Sequence, residues 1–225
     1  MDVTQALRER RSVRAFTSQV PSAELVQQLM QDAALAASGG NLQPWRVAAI
    51  SGQPLQAMVA EVMATPGDEN PKTLSYPPNL WEPYRSRRFL NGEDLYKSIN
   101  IPREDKAGRL KQLAKNSQFF GAPVGVIVFT DERMGPAQWV DLGIYLQSFM
   151  LRATESGLAT CAQGFWRRSD AVVRKHITVP EGYMVAFGIA LGYEDKAAPI
   201  NGMRSTRASF EEWGQLVGFE STVPA

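Results

Sequence analysis

Apolar residues along the chain change their spacing from stretch to stretch, and each change predicts an element. Leu25, Val26, Leu29, Met30 and Ala33 recur near helical spacing, so Ser22 to Ala37 reads as a helix. Ser38-Gly39-Gly40-Asn41 ends it, because glycine tolerates the left-handed backbone of a helix terminus. Met1 to Arg10 reads as a shorter helix with Asp2 or Thr4 as N-cap. Arg46 to Ser51 predicts a strand, and Leu55, Met58, Val59 and Val62 another helix. Glu104 to Phe120 is helical in pattern, and Pro123 to Phe129 is a continuous apolar run that predicts a central strand. Leu142, Tyr145, Leu146, Phe149 and Met150 mark a core helix closed by Gly157. Tyr145 on that face needs a partner for its hydroxyl once buried. Ser169 caps a short helix to Ile177, Met184 to Leu191 is a strand, and Phe210 to Val217 a last short helix. Strands stand among longer helices with no regular βαβ rhythm, which favours an α+β fold. We read residues 1–225 as a single domain.

Thr65 to Arg103 breaks the pattern. It holds Pro66, Pro71, Pro77, Pro78, Pro83 and Pro102, together with Trp81, Tyr84 and the basic run Arg85, Arg87, Arg88. Proline at this density interrupts regular structure. The aromatic and guanidinium anchors favour an ordered excursion over the core rather than a linker.

Composition narrows the function. Hydrophobic residues at 44 % and charged residues at 21 % supply a real core, so long disordered tracts are disfavoured. A net charge of +1 carries no basic excess, which disfavours nucleic acid as partner. Cys161 is the only cysteine, so no intrachain disulfide can form and a reducing compartment is expected. The charged start lacks a signal-like apolar stretch, and no run is long enough to span a membrane. A cytoplasmic protein is the expectation.

The familiar catalytic signatures are missing. There is no G-x-G-x-x-G, no phosphate loop, no H-E-x-x-H and no C-x-x-C. His176 is the only histidine and reads as a surface residue. That leaves almost no basis for a zinc site or a Ser-His-Asp triad, and no metal is expected. Cys161, among small residues with no histidine near in sequence, reads as a buried structural thiol. Redox or group-transfer chemistry must then come from a bound cofactor.

Three clusters fit an anionic, planar one. Arg10, Ser12 and Arg14 alternate, so an extended backbone puts them on one face. Guanidinium forks and a hydroxyl suit a phosphate. Arg204-Ser205-Thr206-Arg207 repeats that chemistry near the other end of the chain. The third cluster is the glycine-rich loop from Ser38 to Trp45. Its backbone can approach a ligand closely, and Asn41 and Gln43 offer donors and acceptors to a ring edge. Gly157 to Phe165 is a related loop.

Taken in order, RRSVRAF, SGGNLQPWRV, GLATCAQGFW, a strand ending in LGY and a late R-x-x-R resemble the FMN-dependent nitroreductase family. YPPNLWEPYRSRR, INIPRED and QFFGAPVGVIVF look most like its nitrobenzoate-type branch. The resemblance implies a three-layer fold: a central, mostly antiparallel sheet flanked by helices, in an intertwined homodimer with FMN at the interface. It implies a ping-pong reaction in which NAD(P)H and then a nitroaromatic or quinone-type acceptor visit one site. The implied cofactor contacts are Arg10, Arg11, Ser12 and Arg14; Ser38, Gly39, Asn41 and Gln43 from the loop shown to the partner; Gln163 and Gly164; and Arg204 and Arg207. Ala162 stands where many members have proline, and the R-x-x-R spacing leaves open which late arginine holds the phosphate. Trp81, Tyr84, Arg88 and Trp166 are the expected acceptor pocket. The tail from 210 to 225, with Phe210, Trp213 and Phe219, is expected to pack on the partner subunit. The alternatives keep the fold with dehalogenase-like or flavin-fragmenting chemistry, or make the chain a non-catalytic flavin-binding regulator.

Overall fold

The computed structural model describes residues 1–68 and 74–219. Pro71 of the proline-rich segment and the last residues of the tail, 220–225, lie outside the described residues.

The element order is α1 (Val3–Glu9), α2 (Ala23–Ala33), β1 (Arg46–Ser51), α3 (Gly52–Ala64), α4 (Tyr84–Ser98), α5 (Lys106–Ala114), β2 (Val124–Asp131), α6 (Pro136–Glu155), β3 (Ala159–Gln163), α7 (Asp170–His176) and β4 (Tyr183–Gly192). The strands form one sheet in the order β1-β2-β4-β3, antiparallel throughout. β2 reads as continuously apolar because both faces are covered. Val124, Val126 and Val128 pack toward α2 and α6, while Ile127 and Phe129 pack toward α3 and α7. The result is an α+β sandwich of helices, sheet and helices.

Local chemistry explains most boundaries. Asp2 accepts the Gln5 N–H at 2.7 Å and caps α1. Ser22 accepts from Leu25 at the start of α2, which stops at Ala33 rather than Ala37. The Tyr145 hydroxyl donates to the Met30 carbonyl at 3.4 Å, and burial raises its pKa.

Three expectations need correction. The helix expected over Glu104 to Phe120 stops at Ala114 and gives way to tighter turns over Lys115–Gly121. Phe119 and Phe120 adopt left-handed backbone at φ 47° and 55°, a strained conformation held by burial of both rings. The proline-rich excursion contains a 15-residue helix, α4, because the stretch between Pro83 and Pro102 is free of proline. Where a helix is expected from Phe210 to Val217, the described residues hold a single 3-10 turn, Phe210–Glu212.

Candidate active site

β3 is short and made of small residues, yet it organises the site. Ser12 bridges Thr160 in parallel, and the Val13 N–H donates to the Thr160 carbonyl at 2.9 Å. This extends the backbone of residues 10–14 along β3. Val13 is buried, and the Arg11 guanidinium turns to Glu194 at 2.5 Å and to the Asn201 carbonyl at 3.3 Å.

Arg10, Ser12 and Arg14 line a cavity of about 260 Å³ together with Met203, Arg204, Ser205 and Arg207. Residues almost two hundred positions apart in sequence thus meet. Among the described residues, Arg10, Arg14, Arg204 and Arg207 form no ion pair. Arg14, Arg204 and Arg207 donate to backbone carbonyls of their own segments. Burial, and then the nearby Arg207 charge, lower the pKa of Arg10. Like charges held together without a carboxylate are the mark of an anion site. The residues fit a phosphomonoester: guanidinium forks and hydroxyls in one concavity. Cys161 lies buried beneath them, and its burial raises the thiol pKa against the opposing pull of Arg14. It has the character of a structural thiol.

Gln163 is buried, and its side chain is spent internally. Nε2 donates to the Asn116 carbonyl at 2.9 Å, and Oε1 accepts from the Trp166 indole at 3.2 Å. Only the backbone of Gln163 and Gly164 remains for a ligand. Trp166, expected in the acceptor pocket, has its side chain enclosed in the core of this chain. It is 0 % exposed and stacks on Phe119 at 4.0 Å. A Cβ on Gly188 would sit 2.2 Å from its ring, so that glycine leaves the slot the indole fills. Arg11 also lines the cavity, but its guanidinium is paired with Glu194.

The loop of Ser38, Gly39, Asn41 and Gln43 does not line the arginine cavity. It is exposed, with Gly40, Asn41 and Gln43 at positive φ. Ser38 Oγ accepts the Gln43 N–H at 3.0 Å, and Asp141 on α6 accepts the Gly39 N–H at 3.2 Å. Asp141, 7 % exposed, anchors this loop and was not singled out in the sequence; an acid on the apolar stripe of α6 was the available signal.

The excursion does reach the end of β3. The Asp68 N–H donates to the Arg168 carbonyl at 2.8 Å, and Ser75 Oγ lies 3.1 Å from where a Gly164 Cβ would be. Trp81 and Tyr84 meet edge to face at 5.7 Å, both exposed. Arg85 pairs with Glu82, and Arg87 with Glu212. Arg88 instead lies over the Tyr76 ring at 4.4 Å, with no carboxylate partner among the described residues. His176 sits 2.8 Å from Glu61, which Lys175 also binds, so it is a partnered side chain between α7 and α3 rather than a free surface histidine. Among the described residues no cluster of metal ligands exists, and no helix is long and apolar enough to cross a membrane.

The Nitroreductase family model matches residues 7–193. The chain belongs to the nitroreductase family. It is 33 % identical to a 4-nitrobenzoate reductase of Pseudomonas putida over 97 % of both chains. It is 34 % identical to a nitrobenzene nitroreductase of Ectopseudomonas oleovorans over 96 % of both. Among solved structures, the crystal structure of the FMN and NADPH-dependent nitroreductase NfnB from Sphigopyxis sp. strain HMH superposes with a TM-score of 0.91. That pair is 40 % identical, covering 97 % of this chain and all of the other. The family assignment sets the fold and the redox class. The arginine cavity belongs to this nitroreductase's own geometry.

Proposed function

We propose that the chain is an FMN-dependent NAD(P)H oxidoreductase that reduces nitroaromatic or quinone-type acceptors by a ping-pong mechanism. The observation that carries the reading is the cavity in which Arg10, Arg14, Arg204 and Arg207 converge without a counter-ion. The two full-length curated relatives named for nitroaromatic reduction, and the neighbour described as FMN and NADPH-dependent, support it.

Bound there, FMN would supply the hydride and electron chemistry that no side chain of this site offers. The arginines would hold its phosphate, with Ser12 and Ser205 as further hydrogen-bond groups. The backbone of Gln163 and Gly164 would face the ring, since the Gln163 side chain is held inward. Tyr76, Trp81, Tyr84 and Arg88 would border the space that nicotinamide and acceptor occupy in turn. The exposed loop of Ser38 to Gln43 would complete the site of a second copy, which makes the working unit a homodimer. The tail beyond Phe210 would pack on that copy, and residues 1–225 would act as one domain. The free thiol of Cys161 is compatible with a cytoplasmic setting.

The test is direct. The purified protein should be yellow, release FMN on heating, and oxidise NADPH or NADH only when a nitroaromatic or quinone is present. Initial rates at several acceptor concentrations should give parallel double-reciprocal lines. A colourless protein that takes up no FMN would sink the reading. A yellow protein without acceptor-dependent NAD(P)H oxidation would leave the flavin site and remove the reductase.

A further inference from the structure

One buried amide ties the two halves of the arginine cavity together. Asn201 lies in the turn Pro199–Gly202 after β4 and is 3 % exposed. Its Oδ1 accepts the Arg14 backbone N–H at 2.9 Å. Its Nδ2 donates to the carbonyls of Ala15 at 2.8 Å and Asp195 at 2.9 Å. Its own carbonyl accepts from Arg204 Nη1 at 3.1 Å and from Arg11 Nε at 3.3 Å. The side chain uses both chemistries of an amide at once, which neither a carboxylate nor an apolar residue can do.

The two halves need such a tie for different reasons. Residues 10–17 are already strapped to the sheet region through Val13 to Thr160, and Thr17 to Tyr193. The segment carrying Arg204 and Arg207 has no ladder of its own. It leaves the turn as irregular chain, and its guanidiniums reach only carbonyls within residues 201–206. Mutual repulsion among the arginines would push it outward, since no carboxylate offsets their charge. Asn201 opposes that drift by anchoring the turn at Arg14.

We propose that Asn201 is a positioning residue that sets the spacing between Arg14 and Arg204, and so makes the site select a phosphorylated flavin over the unphosphorylated one. The inference rests on the FMN reading above. It concerns the phosphate end alone, because Asn201 hydrogen-bonds to Arg14, Ala15, Asp195, Arg204 and Arg11 and not to Gln163 or Gly164 among the described residues.

The experiment titrates flavin-stripped full-length protein with FMN and with riboflavin. Wild type should bind FMN more tightly; failure there would overturn the FMN reading and this inference with it. In Asn201→Ala the FMN Kd should rise about tenfold or more, the scale of a charge-assisted contact, while the riboflavin Kd stays within about twofold. Ile200→Ala, a neighbouring buried side chain, controls for packing loss in the same turn. It should lower Tm while keeping the preference for FMN. Should Asn201→Ala fail to fold, Asn201→Ser, smaller than the native amide but still polar, should show the same selective loss in weaker form. Adding Arg204→Ala to the Asn201 variant should cost less than in wild type, because the two act on one contact. Equal weakening of both flavins in the Asn201 variants, retention of the FMN preference, or additivity with Arg204→Ala would overturn the inference while leaving FMN as cofactor.

Discussion

The arginine cavity and the excursion over residues 65–103 both present guanidiniums, one from a segment running beside β3 and the other from a segment reaching its end, but they are mounted differently. The cavity stands on backbone hydrogen bonds to a buried strand and on a buried amide. The excursion carries α4, which buries no residue at all. It is held by the Arg109–Glu93 pair and by arginines over aromatic rings. These contacts, a half-buried bidentate ion pair and guanidiniums over rings, tie the helix to its neighbours without an apolar core. The part proposed to bind the cofactor is therefore built into the fold, and the part proposed to meet the acceptor is attached to it. Acceptor range can change without a change in fold.

The sharpest way to break that comparison is to cut a tryptophan from each region. Trp166 fills a slot between Phe119 and Gly188, so Trp166→Ala should cost about 3–5 kcal/mol of stability. Trp81 is 58 % exposed, and Trp81→Ala should stay within about 0.5 kcal/mol. Urea unfolding followed by circular dichroism measures both. Equal losses would mean that the excursion is as integral to the core as β3.

Next in size is the phosphate contact. Arg207→Ala should weaken FMN binding at least about tenfold, the loss of one charge-assisted hydrogen bond of ~1.5–3 kcal/mol. Tm of the flavin-free protein should hardly move, because the Arg207 side chain bonds only to carbonyls of its own turn. Unchanged flavin affinity would remove Arg207 from the site.

What was legible in the sequence follows the same division. Strands β1, β2 and β4 and helices α2 and α6 were readable, because burial on defined faces imposes a period. The alternation of Arg10, Ser12 and Arg14 was readable for the same reason. β3 was not, since Ala159, Thr160, Cys161 and Ala162 are small and carry no amphipathic signal; their size lets residues 10–14 lie alongside. α4 was hidden by counting prolines over a whole segment when they cluster at its flanks. Trp166 was misplaced because the glycine that receives it lies on another strand. Asn201 was silent, as an amide in a turn declares its partners only in three dimensions.

The tail offers a smaller effect. Trp213, Leu216, Val217 and Phe219 are all at least 69 % exposed on this chain, an apolar run that a second copy would cover. Deleting everything after Gly218 removes Phe219, worth ~1.5–3 kcal/mol if fully buried. Dimer affinity and flavin content should fall together by about tenfold. Sedimentation of a fully flavinated monomer would contradict the shared interface.

The smallest expected effect tests whether the excursion recognises the acceptor. Of the basic run, Arg85 and Arg87 are engaged by Glu82 and Glu212, whereas Arg88 rests on Tyr76, next to Ser75 at Gly164. A guanidinium stacked on a ring keeps its N–H fork open for a planar carboxylate. Nitrobenzoates should then be reduced with a higher kcat/KM than nitrobenzene, by roughly three- to tenfold for an exposed ion pair of ~1 kcal/mol. Most of the difference should lie in KM, since the contact forms equally before and during the reaction. Arg88→Ala should abolish the preference for the carboxylate, and Arg88→Lys should restore it only in part, because a point charge lacks the fork. Raising the salt concentration should shrink the preference in wild type and leave the variant unmoved. Equal kcat/KM for the two acceptors in wild type would detach the excursion from substrate choice while leaving the proposed cofactor cavity untouched.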